Sequence, residues 1–317
     1  MTGATTAESP ASEGRAAESP LPTRAIQRCP LCDGADLRPL GMAYEFRGRF
    51  PAVECRNCHL RFLGVQPGAE ALAELYSPAY FQSDFRCGRA AGSSFDEESF
   101  REENRGLLDE FGRWTAPGRL LEVGCAAGWL LKHAQERGWQ AQGVEFSQVA
   151  ADHARSLWLD VHHGDLMSAK LAAASFNLIY LGDVLEHVPD CRAVATECAR
   201  LLKPGGLIYL RGPVTTNSLA RSWALAACRA LGRTIVLREP PYHLWEFTPS
   251  TLARLFETCG FEIVYRKQSK IPPGRAHGEK TAFERAVMAA VDAVNVPITT
   301  MFNVRGDRVV MVARKRG

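Results

Sequence analysis

Leu120-Leu121-Glu122-Val123-Gly124-Cys125-Ala126-Ala127-Gly128 is an apolar run that closes on an acid and then turns through small residues into Trp129-Leu130-Leu131. The pattern predicts a strand over Arg119–Val123 and a helix over Trp129–Arg137. Small residues at such a turn let a ligand approach the backbone closely, next to unpaired N–H groups at the helix start. A dinucleotide site calls for Gly-x-Gly-x-x-Gly here. Ala126 stands where the second glycine belongs and Trp129 follows Gly128, so nicotinamide binding fits poorly.

Outward from this turn the chain alternates. Strands are expected at Ala141–Glu145, Asp160–His163, Phe176–Leu181, Leu207–Arg211, Phe261–Arg266 and Arg308–Arg314. Helices are expected at Val149–Leu157, at Cys191–Leu202 with a stop at Lys203-Pro204-Gly205-Gly206, and from Thr248-Pro249 to Cys259. Such alternation implies an α/β fold with a mainly parallel sheet covered by helices. We assign residues 118–317 to this domain, interrupted by insertions at 213–247 and 268–307. Residues 67–117 read as a helical linker or cap, with one helix over Phe95–Trp114 and a short one leading into the turn at Ser77-Pro78.

Acids and glycines recur at the strand ends. Glu145 closes the second strand 21 positions after Gly124, where an acid can hydrogen-bond a ribose diol, and Phe146 follows it. Gly164-Asp165-Leu166 follows the third strand, and Leu181-Gly182-Asp183-Val184-Leu185-Glu186-His187-Val188-Pro189 ends the fourth. Taken in order, this series resembles the class I S-adenosylmethionine-dependent methyltransferases. The resemblance implies a Rossmann-like seven-stranded sheet and S-adenosyl-L-methionine as cofactor. It places Glu122, Gly124, Cys125, Ala126 and Gly128 around the methionine part, Glu145 on the ribose and Phe146 against the adenine. Asp165 and Leu166 then lie by the adenine amino group, with Leu181 and Asp183 at the neighbouring strand end. Fold does not fix activity, so a non-catalytic cofactor-binding scaffold is an alternative.

Cys29-x-x-Cys32 and Cys55-x-x-Cys58, separated by 22 residues, form two knuckles that can place four thiolates around one zinc. Four sulfur ligands leave no open position, so the metal is expected to be structural. We assign 28–66 to this ribbon. Cys55-Arg56-Asn57-Cys58-His59 also spells a haem-attachment motif, which leaves the upstream pair unexplained. The two knuckles followed by Leu75-Tyr76-Ser77-Pro78-Ala79-Tyr80-Phe81 resemble the N-terminal region of bacterial zinc-ribbon methyltransferases, including sugar C-methyltransferases, in which this region covers the substrate cleft. Cys191, Cys198 and Cys259 fall in helical stretches and are expected to be buried; Cys87 and Cys228 are left open.

A methyl acceptor needs alignment and one base. His187 and His243 are the candidates, with Tyr242 and Asp183 behind them, because imidazole titrates near neutrality. Asp183, Glu186 and His187 also resemble the metal-binding acid-x-x-Glu-His of quinone O-methyltransferases; on a helical turn Asp183 and His187 share a face. A third reading has them pack the loop and orient cofactor. Tyr242-His243-Leu244-Trp245-Glu246-Phe247-Thr248-Pro249 resembles a His-Leu-x-x-Phe-Thr segment of the same methyltransferases that returns over the active site.

The composition, 46% hydrophobic and 23% charged with a net charge of +3, suits a globular protein and shows no concentrated basic stripe for nucleic acid. Residues 1–27 have almost no large apolar side chains and are expected to be a disordered tail. No run approaches the roughly 20 apolar residues of a membrane span and no signal peptide is evident, so a cytoplasmic location is expected. Leu219–Leu231 reads as a helix with Arg221, Arg229 and Arg233 along one arc and Trp223, Ala227, Ala230 and Leu231 opposite; a solvated basic face is one reading, contact with a membrane or a phosphate another. A second amphipathic helix is expected around Phe283–Val294, as a lid or dimer element. The sequence thus points to methyl transfer to oxygen or carbon of a small or carrier-linked metabolite, a sugar among the candidates. The alternative is an RNA or protein methyltransferase whose ribbon grips a macromolecule.

Overall fold

The computed structural model describes residues 19–76, 97–270 and 282–317. The expectations for residues 1–18, for the turn at Ser77-Pro78 and for Cys87 lie outside the described residues. The strands are β1 Thr23–Ala25, β2 Leu37–Glu45, β3 Arg49–Cys55, β4 Arg61–Leu63, β5 Val65–Pro67, β6 Arg119–Val123, β7 Gln140–Glu145, β8 Asp160–His163, β9 Phe176–Gly182, β10 Leu202–Pro213, β11 Ile235–Leu237, β12 Trp245–Glu246, β13 Phe261–Ser269 and β14 Arg308–Lys315. The helices are α1 Ala69–Leu75, α2 Glu98–Gly112, α3 Trp129–Glu136, α4 Gln148–Ser156, α5 Cys191–Leu201, α6 Leu219–Ala230, α7 Pro249–Thr258 and α8 Ala282–Phe302.

Seven strands form one sheet in the order β13-β14-β10-β9-β6-β7-β8. β6 to β10 run parallel, and β14 is antiparallel to both β10 and β13. Along the chain this is the 3-2-1-4-5 order of a Rossmann-like fold, with the last strand wedged between the fifth and the sixth. The central strands are apolar on both faces, as a sheet covered on both sides requires. Leu178 and Tyr180 of β9 pack with Leu107 and Phe111 of α2 and Leu131 of α3, while Ile179 and Leu181 pack with Val194 of α5 and Phe256 of α7. The C-terminal ends of all five parallel strands therefore share one edge, and the order reverses between β6 and β9. That is where such sheets bind ligands.

Helix ends follow from local chemistry. Thr248 and Thr251 form a reciprocal capping box with Pro249 in the first turn of α7, so the helix starts where Thr-Pro predicts. Gly205, at φ +73°, turns the chain after α5. Pairing with β9 already begins at Leu202 opposite Phe176, is interrupted, and resumes at Leu207, so β10 starts earlier than the apolar run suggests. α8 runs on through Pro297, well past Val294.

A second sheet has the order β11-β2-β3-β4-β12. Its centre is the cysteine-bearing segment, but both edges come from the 213–247 insertion: β11 pairs with β2 through Ile235 and Met42, and β12 with β4 through Trp245 and Phe62. β1 pairs antiparallel with β5, and Leu21 is buried. Structure thus begins before Gln27, because this short strand finds a partner edge that composition alone does not reveal. No helix among the described residues is long and apolar enough to cross a membrane.

Candidate functional site

The turn after β6 is held open by backbone shape. Gly124 and Gly128 sit at φ +72° and +82°. A Cβ on Gly124 would come within 2.6 Å of Val184 Cγ2, and one on Gly128 within 2.5 Å of Leu159 Cδ1 and 2.9 Å of Ala154 Cβ. Ala126 between them also has positive φ, +48°. Cys125 is buried and needs a neighbour without a side chain: a Cβ on Gly143 would lie 2.6 Å from its sulfur. Sequence reading missed Gly143, since a strand glycine has no motif to flag it.

Glu145 ends β7 directly under this turn. Its Oε2 accepts from the Ala126 N–H and its Oε1 from the Ser147 N–H, both at 2.8 Å. The carboxylate expected to meet a ribose diol thus also fixes the loop. Glu122 is buried at the end of β6. Phe146 is 48% exposed beside Glu145, with the Tyr76 ring edge-on to it. Asp165 is exposed and accepts from the Ser168 N–H at 2.6 Å, closing the turn after β8, with Leu166 buried next to it. Leu181 is fully buried between β6 and β10, so only its backbone faces this edge.

Beyond β9 the cleft becomes aromatic and basic. Nδ1 of His187 lies 2.9 Å from both the Tyr76 hydroxyl and the Tyr242 carbonyl oxygen. A carbonyl only accepts, so Nδ1 carries the proton and Nε2 is the basic nitrogen of the neutral ring. Nε2 lies 3.6 Å from Glu186 Oε1. Burial, and then the nearby Asp183 carboxylate, push the Glu186 acid up to about 8, so it keeps its proton at neutral pH. The His243 ring stands 4.9 Å from His187, edge to face. Burial also raises the Tyr242 phenol. Tyr76, at the end of α1, touches the rings of Phe146, His187 and Tyr242, at 6.3, 6.2 and 5.7 Å. It joins Phe146 to the histidines; the resemblance of its sequence neighbourhood implied a segment over the cleft but not these partners.

The structure brings His187, His243 and Tyr242 together and turns Asp183 elsewhere. Asp183 sits at φ +52° and pairs with Arg308 at 2.8 Å, at the start of β14. Donor atoms of Glu186, His187 and His243 all lie within 4.8 Å of one another and could hold one divalent cation. Asp183 is not part of that group, because its left-handed backbone breaks the helical spacing that Asp-x-x-Glu-His suggests.

Chain comparisons bear on this edge directly. A family model described as "Methyltransferase domain" matches residues 95–266, a little over half of the chain. The chain belongs to this family. It is 34% identical over 156 residues to a ubiquinone biosynthesis O-methyltransferase of Idiomarina loihiensis, covering 46% of this chain and 62% of that protein. It is also 29% identical over 146 residues to a probable S-adenosylmethionine-dependent methyltransferase of Mycolicibacterium smegmatis, covering 45% and 52%. The chain thus spans less than two thirds of the length of these curated relatives. A SAM-dependent methyltransferase from Archaeoglobus fulgidus superposes with a TM-score of 0.47 at 17% identity, covering 69% of this chain and 97% of that one.

The four cysteines of the ribbon form the other candidate centre. Their sulfurs all lie within 4.8 Å, with Cys29–Cys58 at 3.3 Å and Cys32–Cys55 at 3.5 Å. A tetrahedral zinc with Zn–S of about 2.3 Å separates its sulfurs by about 3.8 Å, so the donor set and spacing fit that ion. The two knuckles repeat one backbone design. Cys29 N–H donates to the Gly34 carbonyl and Asp33 N–H to that of Cys29; Cys55 N–H donates to Leu60 and His59 N–H to Cys55. Asp33 and His59, each following the second cysteine, sit at φ +59° and +62°. Of the remaining thiols, Cys191 and Cys198 are buried, whereas Cys259, expected inside, is half-buried like Cys228 because it ends α7.

Proposed function

We propose that this protein catalyses S-adenosylmethionine-dependent methyl transfer to an oxygen of a small or carrier-linked hydroxylated acceptor. The observation that carries the reading is the Glu145 carboxylate, bonded to the Ala126 N–H of a turn that two left-handed glycines keep open, with the His187–His243 pair across the same sheet edge. When bound, the cofactor supplies a sulfonium-activated methyl group. The chain's own residues have the remaining tasks. Glu145, Phe146 and the turn from Gly124 to Gly128 hold and orient the cofactor. Tyr76 and Tyr242 wall the cleft against water. His187, its Nδ1 proton committed to the Tyr242 carbonyl, receives the acceptor's hydroxyl proton at Nε2, which raises the nucleophilicity of the oxygen. The four cysteines hold a structural zinc that fixes the sheet through which Tyr242 and His243 are supported.

Oxygen rather than carbon is favoured by the imidazole pair and by relatives named as O-methyltransferases. The test is titration calorimetry with S-adenosylmethionine, followed by a labelled-methyl screen of phenols, catechols and nucleotide-linked sugars. Cofactor binding that Glu145→Ala weakens, together with label on a hydroxyl oxygen, is the expected result. Absence of cofactor binding, or label only on carbon, nucleic acid or protein, would overturn the reading.

A further inference from the structure

The helices of the two insertions are built inside out. A helix at a protein surface ordinarily buries its apolar stripe and exposes its polar one. On α6 the exposed positions are Ala220, Trp223, Ala226, Ala227, Arg229 and Ala230, while Leu225 is the buried residue. Trp223 is 65% exposed, and Leu231, just after the helix, 69%. The face expected to turn inward thus points out. α8 repeats the inversion. Asn295 and Thr299 are buried, and Asp292 is half-buried in an ion pair with Lys270. Val294, Val296, Met301 and Phe302 face outward, the last two 75% and 66% exposed.

The two helices touch each other and are wired to the edge that carries the cleft. α6 follows the C-terminal end of β10, and α8 leads into β14, whose first residue Arg308 pairs with Pro213 at that end. Asn217 Nδ2 donates to Gln268 Oε1 and to the Gly306 carbonyl, both at 2.9 Å, which joins the two insertions at their bases. The charge around this surface is mostly positive, with Asp292 and Asp307 both paired with Lys270 and Glu239 at the flank. No acidic residue occurs from Leu219 to Leu237 or from Ala293 to Gly306, while Arg229, Arg233 and Arg305 are exposed and Arg221 is half-exposed.

We propose that the outer faces of α6 and α8 dock on an anionic lipid surface. Trp223, Leu231, Met301 and Phe302 enter the boundary between headgroups and acyl chains, and the arginines meet lipid phosphates. Apolar side chains beside exposed arginines are the combination that such an interface stabilises, and the acid-free stretches 219–237 and 293–306 complement its negative potential. The docking surface extends the proposed function, since it sets the cleft beside a layer in which an apolar or lipid-linked acceptor would dissolve.

The test is flotation of the full-length protein with vesicles of phosphatidylcholine alone or mixed equally with phosphatidylglycerol, without cofactor or acceptor. Binding to the mixed vesicles, weakened by salt and reduced about tenfold or more in a Trp223→Ser/Phe302→Ser variant, is expected. Cofactor binding by the same variant checks that it folds. Three results would overturn the proposal: no flotation with either vesicle, flotation unaffected by the variant, or a wild-type dimer that the variant converts to monomer while neither binds lipid. Because the assay needs no methyl transfer, failure of docking and failure of the proposed activity are read separately.

Discussion

Arg308 donates to both carboxylate oxygens of Asp183 at 2.8 Å, bridging the first residue of the antiparallel strand to the residue after β9. Asp183 occupies a left-handed backbone conformation, which aspartate adopts more readily than most side-chain-bearing residues. Val184, next to it, packs against Gly124 of the cofactor turn. Arg308→Met should therefore lower stability by about 1–2 kcal/mol, the pair being partly exposed, and weaken S-adenosylmethionine binding as well. Urea unfolding and calorimetry measure both; an unchanged cofactor affinity would detach this pair from the site.

Gly124→Ala and Gly128→Ala should each reduce cofactor affinity about tenfold or more. The Gly128 change is the more severe, because the Cβ of Ala154 cannot rotate away whereas the Val184 side chain can. Gly138 is the control. It has φ +84° and nothing within 4 Å of an added Cβ, so Gly138→Ala costs only about 1 kcal/mol of backbone strain and leaves binding intact. Equal effects at all three positions would mean that strain, not shape, governs the turn.

Chelation should release about one zinc per chain and loosen the five-stranded sheet. Since β12 begins two residues after His243, turnover should fall with the metal rather than persist. Metal release followed with a chromogenic chelator, alongside circular dichroism and activity, checks this. A metal-free protein with full structure would contradict the cysteine assignment.

His187→Ala should lower kcat at least about a hundredfold with little change in cofactor affinity, as expected for a group that handles a proton. Tyr76→Phe removes the hydroxyl at Nδ1 and keeps the ring, so its effect should be several-fold and confined to kcat. Should both variants keep wild-type turnover, the acceptor proton leaves by another route.

Glu97 gathers Lys132, His133 and Arg101 at the start of α2, and its hydrogen bonds to Lys132 and His133 hold the carboxyl down at about 2. A depressed acid contributes stability that is present above its unfolded value near 4.5 and is lost as pH falls toward 2. Glu97→Gln should cost about 1 kcal/mol at pH 7, and the difference from wild type should shrink steadily below pH 4.5. A pH-independent difference would assign the loss to packing.

The seven-stranded sheet was legible because each central strand is a short apolar run between a helix and a small-residue turn, and the acid at each strand end is local in sequence. The same holds for the cysteine knuckles, whose spacing is set by one tight turn apiece. Contacts between distant segments left no trace of that kind. Nothing in Tyr76 points to His187, and nothing in Arg308 points to Asp183. The Asp183-x-x-Glu186-His187 spacing suggested one helical face, which the left-handed backbone at Asp183 removes. In α6 the period was read correctly, but a period does not say which face is inside.

The five-stranded sheet gives the order of synthesis a structural meaning. Met42 leaves the ribosome early, yet the strand that covers it begins at Ile235, after most of the parallel strands have been made. The four cysteines of a nascent ribbon are all present early, but both edges of its sheet stay bare until the far insertion emerges. The five-stranded sheet and the support of the Tyr242–His243 segment are thus completed in the same late event, and a chain truncated before Trp245 keeps its four cysteines but leaves the β4 edge bare.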